Sequence, residues 1–164
     1  LAIICAVFST ELKMIEPNWI SEIVKSYENG QPEIVIFKEP ISENVAFPVK
    51  QITFYQEGPV KQEVDVKITE EGSTAALKWN SSIIPHGVCI DLYSSGKVAK
   101  TSQYNNGYLE GEVKEFYENG NLKSISYYED GYLSKKAFIY YENGDLKEER
   151  NYLFRKNAKP KVAR

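Results

Sequence analysis

The sequence is poor in the residues that most chemistry needs. It has one histidine, two cysteines, one methionine and two tryptophans among 164 residues. A single imidazole excludes a multi-histidine metal site, and no Cys-x-x-Cys occurs, so neither metal nor cofactor is expected. Two thiols, Cys5 and Cys89, cannot form a disulfide framework, and whether they pair leaves the redox compartment open. There is no Gly-x-x-x-x-Gly-Lys-Ser loop, and no Gly-x-Gly-x-x-Gly follows a strand. Charge of one sign is also missing: 20 basic against 23 acidic side chains give a net of −3, so a nucleic-acid partner is not expected. What is present is apolar residues at 42 %, enough for a core, and aromatic residues at 13 %, of which 12 are tyrosines.

The two ends differ from the middle. Residues 1–16 open with Leu1-Ala2-Ile3-Ile4-Cys5-Ala6-Val7-Phe8, too short to span a bilayer. They read as the remnant of a secretory signal segment, with a buried first strand as the alternative, and so favour export over the cytoplasm. Residues 153–164 form a basic tail with Arg155, Lys156, Lys159, Lys161 and Arg164 and no acid. Between them, residues 17–86 and 87–152 behave differently.

A step of 24 residues organises 87–152. Tyr93, Tyr117 and Tyr141 share it, as do Gly96, Gly120 and Gly144, and Tyr104, Tyr128 and Tyr152. Gly107 and Gly131 keep the same step, and so do Gly87 and Gly111. Asn119-Gly120 and Asp130-Gly131 each suit a two-residue type I′ hairpin loop, in which both residues take positive φ. Closing these loops sets Tyr117 opposite Leu122, Gly111 opposite Tyr128, and Tyr128 opposite Leu133. One repeat earlier, Tyr93 meets Val98, Gly87 meets Tyr104, and Tyr104 meets Leu109. Each tyrosine of the second column then lies over a strand glycine, which accounts for the glycine by packing.

The pattern Gly-x5-Tyr-x2-Gly-x-Leu-x5-Tyr-x2-Gly-x-Leu resembles MORN repeats, most of all the MORN-variant repeat of many bacterial proteins, and covers about 40 % of the chain. Lys135 departs from it in the glycine column and Arg155 at the turn. The fold class follows: all-β, an antiparallel hairpin meander of 24-residue repeats forming an elongated single-layer twisted sheet. Residues 17–86 read as degenerate versions of the same unit. Ser21–Gly30 aligns without gaps on Gly111–Gly120, and Phe54-Tyr55-Gln-Glu-Gly58 repeats the turn. Insertions near Glu39–Pro48 and Thr69–Ser82 explain the lost period, and Trp79-Asn80-Ser81-Ser82 is similar to Tyr104-Asn105-Asn106-Gly107.

Catalytic signals are weak. His86 has Cys89 and Asp91 nearby in sequence, but strand alternation turns them to the opposite face, so His86 reads as a turn residue. Glu148-Glu149 alternate across a strand and cannot converge on one bond. Asn80-Ser81-Ser82 fits a glycosylation sequon. No catalytic, cofactor or metal residues are expected, and the chain is not read as an enzyme.

Alternation also sorts the faces. Val113, Tyr117, Leu122, Tyr128, Leu133, Ala137, Ile139, Tyr141, Leu146 and Tyr152 make the expected core face. Phe116, Ile125, Tyr127, Phe138 and Tyr140, interleaved with Lys114, Lys123 and Lys136, make a half-wet face suited to a protein partner. The expected function is a non-catalytic repeat scaffold for protein–protein interaction. The resemblance also implies two alternatives, an antitoxin-like role and association with a membrane surface.

Overall fold

The computed structural model describes residues 18–152. The apolar segment 1–16 and the basic tail 153–164, with Cys5 and Arg155, lie outside the described residues. Eleven strands make one sheet: β1 Ile20–Ser26, β2 Pro32–Ser42, β3 Val45–Phe54, β4 Val60–Ile68, β5 Ile83–Leu92, β6 Val98–Asn105, β7 Tyr108–Leu109, β8 Gly111–Phe116, β9 Leu122–Glu129, β10 Tyr132–Tyr140 and β11 Leu146–Tyr152. Neighbours in sequence are neighbours in the sheet, all antiparallel, with the short β7 pairing β6 beside the main path. The sheet is open, and the hairpin meander is as the repeat implied. The stretch around Ile20, Ile23, Val24 and Tyr27, whose spacing would also suit a helix, is strand and turn.

One edge of the sheet carries five turns of the same construction. In each, a glycine N–H donates to the carbonyl of the tyrosine three residues earlier: Gly30 to Tyr27, Gly58 to Tyr55, Gly96 to Tyr93, Gly120 to Tyr117 and Gly144 to Tyr141. The tyrosine N–H closes the hairpin on the residue after the glycine, as Tyr117 does on Asn121 at 2.8 Å. This corrects the loop expected at Asn119-Gly120. Gly120 alone takes positive φ (+92°), while the Asn119 side chain accepts from the Asn121 N–H at 2.8 Å. The result is a β-turn followed by a glycine bulge, with the asparagine serving as an Asx acceptor. The bulge slips the register by one. Phe116, not Tyr117, stands opposite Leu122, and Leu92, not Tyr93, stands opposite Val98.

The opposite edge does use type I′ loops. Asn106-Gly107 has φ of +51° and +79°, and Asp130-Gly131 has +52° and +79°. Pairings that depend on them hold: Tyr104 with Leu109, Tyr128 with Leu133, Gly87 with Tyr104, and Gly111 with Tyr128.

The glycine column needs a different reason from ring cover. Gly87, Gly111 and Lys135 all take positive φ (+118°, +76° and +59°). A Cβ built on Gly111 would meet nothing within 4 Å, and one on Gly87 would strike Asp65 at 2.9 Å rather than Tyr104. Backbone conformation, at a bulge that recurs once per repeat, selects glycine here. Lys135 keeps the conformation without the residue suited to it.

Sequence 69–82 holds the one helix among the described residues, α1 at Thr74–Trp79, capped by the Ser73 hydroxyl accepting from Ala76 N–H at 3.2 Å. Trp79 therefore ends a helix and is not a strand counterpart of Tyr104. Its indole N–H donates to Gly107 O at 2.9 Å, and its ring meets Tyr104 edge-on at 5.9 Å between centroids. A buried cluster lies nearby: Val64, Val66 and Cys89, with Ile83 and Tyr104 against it.

Candidate partner-binding face

The ladder of β8, β9, β10 and β11 sets the candidate residues in rows across one face. Lys114, Ile125, Phe138 and Glu149 stand opposite one another in register. Glu112, Tyr127 and Ser134 form a second row, and Phe116 and Leu122 pair near the tyrosine turns. Phe116, Ile125, Tyr127, Phe138 and Tyr140 are all half-buried. The first half of the chain continues the same sheet edge to edge, so its strands are not layered over these rings.

Two expected features of the faces change. Lys123 is an extra residue between the pairs Glu115–Ser124 and Phe116–Leu122, so Leu122 stands beside Phe116 and Lys123 reaches Glu115 at 3.7 Å. With Glu115, Lys123 lines a groove of about 270 Å³ shared with Tyr128, Leu133, Ala137, Arg150 and Tyr152. Lys123 thus sits with the expected core face, not between Phe116 and Phe138. That face is also less closed than expected. Val113 and Ala137 are buried, but Tyr128 and Leu133 are only half-buried and Tyr141 is 50 % exposed, while Leu146, expected on this face, stands opposite Tyr140 on the other. A single-layer sheet has no second layer with which to cover either side.

Each of the three candidate lysines has an acidic partner. Lys114 meets Glu112 at 2.5 Å, Lys136 meets Glu149 at 2.5 Å, and Lys123 meets Glu115. Tyr127 adds its hydroxyl to Glu112 at 3.0 Å. Hydrogen bonding to Lys114 holds the Glu112 carboxyl below its usual range, and the same contact raises the ammonium of Lys114. The Tyr127 phenol is raised by its hydrogen bond to Glu112. These three lysines are therefore ion-paired, and Lys135 Nζ lies 5.8 Å from the centroid of the Tyr127 ring.

His86 is a turn residue in a specific sense. Its Nδ1 accepts from the Asn106 N–H at 3.2 Å, and Glu110, 24 residues later, accepts from the Asp130 N–H at 3.1 Å. Both fasten the first residue of a type I′ loop. Cys89 is buried opposite Ser102, and burial pushes its thiol up to about 11, far from the range of a working nucleophile. Ser102 Oγ is buried beside it without a well-formed hydrogen bond. The described residues contain no cluster of three or more metal-ligating side chains.

The feature that sequence reasoning missed is a ladder of tyrosine hydroxyls. Tyr27 donates to Phe54 O at 2.8 Å, Tyr55 to Leu92 O at 2.9 Å, Tyr93 to Phe116 O at 2.7 Å and Tyr117 to Tyr140 O at 2.8 Å. Every acceptor is the residue just before the next turn tyrosine. The available signal was that all five turn positions hold tyrosine and none phenylalanine.

A meander of stacked hairpins locked by one hydroxyl per unit defines a β-repeat protein, each unit resting on its neighbours. Residues 109–131 and 134–153 match the model of the MORN repeat variant, so the chain carries MORN-variant repeats. Repeats of this kind are non-enzymatic modules that bind proteins or membrane lipids. No curated protein and no solved structure matches the chain.

Proposed function

We propose that this chain is a non-catalytic scaffold that captures a protein partner on the face of Phe116, Ile125, Tyr127, Phe138 and Tyr140. The observation that carries the reading is the row-by-row placement of these half-buried side chains on one side of a single-layer sheet. Apolar surface gathered this way marks interaction sites, and aromatic residues supply most of the binding energy at them. Ion pairing of Lys114 and Lys136 favours a protein over an anionic lipid or nucleic-acid surface, because the cations are already compensated. Two further observations support a role without catalysis: His86 serves a turn, and the Cys89 thiol is buried. A toxin bound by an antitoxin-like chain would be one case of this reading.

The test is capture of partners from the native host by wild type and by Phe116→Ala/Phe138→Ala. The double variant is expected to lose the partner while keeping the wild-type circular-dichroism spectrum. An unchanged partner set sinks the choice of face, and sedimentation of the wild type with anionic vesicles would favour the membrane reading instead.

A further inference from the structure

The two type I′ loops are fastened by different chemistry. At Asp130-Gly131 the first loop N–H donates to the carboxylate of Glu110, and at Asn106-Gly107 it donates to the imidazole of His86. A backbone N–H can only donate, so His86 Nδ1 must present a lone pair to hold Asn106. A second proton on the ring takes that lone pair and sets two N–H groups against each other. A carboxyl group keeps acceptor oxygens whether ionised or not, so the Glu110 loop lacks this weakness.

The loops also carry different loads. Gly131 packs against the Tyr108 ring. Gly107 is buried under α1, and its carbonyl accepts both from the Trp79 indole N–H at 2.9 Å and from the Lys78 ammonium at 3.0 Å. Lys78 Nζ lies 4.3 Å from the centroid of the Tyr108 ring, so it is fixed from two sides. The last two residues of α1 therefore rest on the loop that His86 fastens. Beside Trp79 lies a cavity of about 210 Å³, lined by Val64, Val66, Ile83, Cys89 and Tyr104.

We infer that His86 makes the Asn106-Gly107 loop an acid-sensitive clasp for α1. With a neutral imidazole the loop is held and α1 closes over the cavity. With an imidazolium the Asn106 N–H loses its acceptor, and the carbonyl shared by Lys78 and Trp79 loosens with it. The new cation also joins a loop that already holds the Lys78 ammonium. The Gly107 N–H bond to Pro85 O, at 2.8 Å, does not depend on the proton, so the change is a local opening and not unfolding. Asp65 and Lys67 of β4 and Tyr104 of β6 are the titratable neighbours of this stretch in the ladder, with Lys78 on α1 and Tyr108 on β7. Asp65 accepts from the Val88 N–H at 3.1 Å and meets Lys50 at 3.1 Å. Imidazole is the side chain whose charge changes between about pH 5 and 8, which sets the working interval.

A titration of the full chain over about pH 8 to 5, followed by nitrogen–proton NMR, tests the clasp. The Asn106 amide and the Trp79 indole N–H are expected to shift together with the His86 ring protons. Indole exchange with solvent, corrected for its intrinsic pH dependence, is expected to rise about fivefold, the effect of one lost hydrogen bond. His86→Glu, which copies Glu110, is expected to abolish both responses, and His86→Asn supplies a second acceptor that cannot titrate. Glu110→His is expected to make the Asp130 amide titrate in the same interval. An Asn106 amide that moves without the Trp79 indole uncouples the loop from α1 and overturns the inference. So does a Trp79 response that persists in both His86 variants, or an Asn106 amide indifferent to pH.

Discussion

The first five strands and the last five on the main path are built from one turn but packed differently. In the early half the period fails: the steps between turn tyrosines are 28 and 38, against 24 later. Yet Tyr27 and Tyr55 make the same glycine turn and the same hydroxyl contact as Tyr93 and Tyr117. The extra residues extend the β2–β3 hairpin and supply the connection through α1, all away from the tyrosine edge. What the repeat keeps is therefore one edge of the sheet, while the far edge accepts insertion. Burial divides the other way. Val35, Ile36, Ile52, Val64, Val66, Ala75, Ala76, Ile84 and Cys89 are buried in the irregular half, against Val113 and Ala137 in the regular one. The irregular half is held mainly by apolar packing, and the regular half leans on turns and hydrogen bonds.

That contrast places the largest loss in the irregular half. Ile84 is 0 % exposed, and Ile84→Ala is expected to cost about 2–4 kcal/mol in denaturant unfolding, the range for truncating a fully buried aliphatic chain. A smaller cost than Val113→Ala would reverse the comparison. Next in size is the turn. Gly120→Val is expected to cost about 1 kcal/mol or more, because positive φ is disfavoured for a β-branched residue.

Removing one ladder hydroxyl sharpens the claim that the tyrosine edge is common to both halves. Tyr55→Phe and Tyr117→Phe are each expected to lose about 1 kcal/mol, the usual worth of one hydrogen bond. Unequal losses would confine the ladder to one half. Lys135→Gly has the opposite sign: it relieves a left-handed lysine and is expected to gain about 0.5–1 kcal/mol in thermal or denaturant unfolding.

The gentlest probe is alkali. Burial raises the Cys89 thiol to about 11 and the Tyr104 phenol to about 12, so the folded chain retains protons that the unfolded chain releases. Stability from these groups is whole below the ordinary thiol value and falls as pH rises towards 11 and 12. Cys89→Ser is expected to flatten the first part of that fall in a pH series of unfolding midpoints.

Within the row of Lys114, Ile125 and Phe138, the Lys114–Ile125 pair was readable in the sequence from period-two alternation, whereas Phe138 was not: alternation sets Lys136 beside Ile125, and the bulge at Lys135 shifts β10 by two residues to bring Phe138 there. Lys123 was misplaced for a definite reason. A turn of the same length can be closed with or without a bulge, and one extra residue reverses the face of whatever lies between the bulge and the turn. Nor could alternation say that the expected core face would remain partly open, since pattern assigns sides and not layers.

The amino-acid sequence by itself determined the repeat, the antiparallel meander and the positions of the tyrosine–glycine turns, because these depend on local backbone preferences and on spacing. Only the tertiary structure decided which carbonyl each tyrosine hydroxyl reaches, that His86 and Glu110 fasten equivalent loops, that α1 closes beside Tyr104, and that the lysines of the aromatic face are neutralised. Apart from Lys114–Glu112, two residues apart on β8, those are contacts between residues 20 or more apart, or across strands. They exist only once the bulges have set the register, and a shift of one residue would undo each of them.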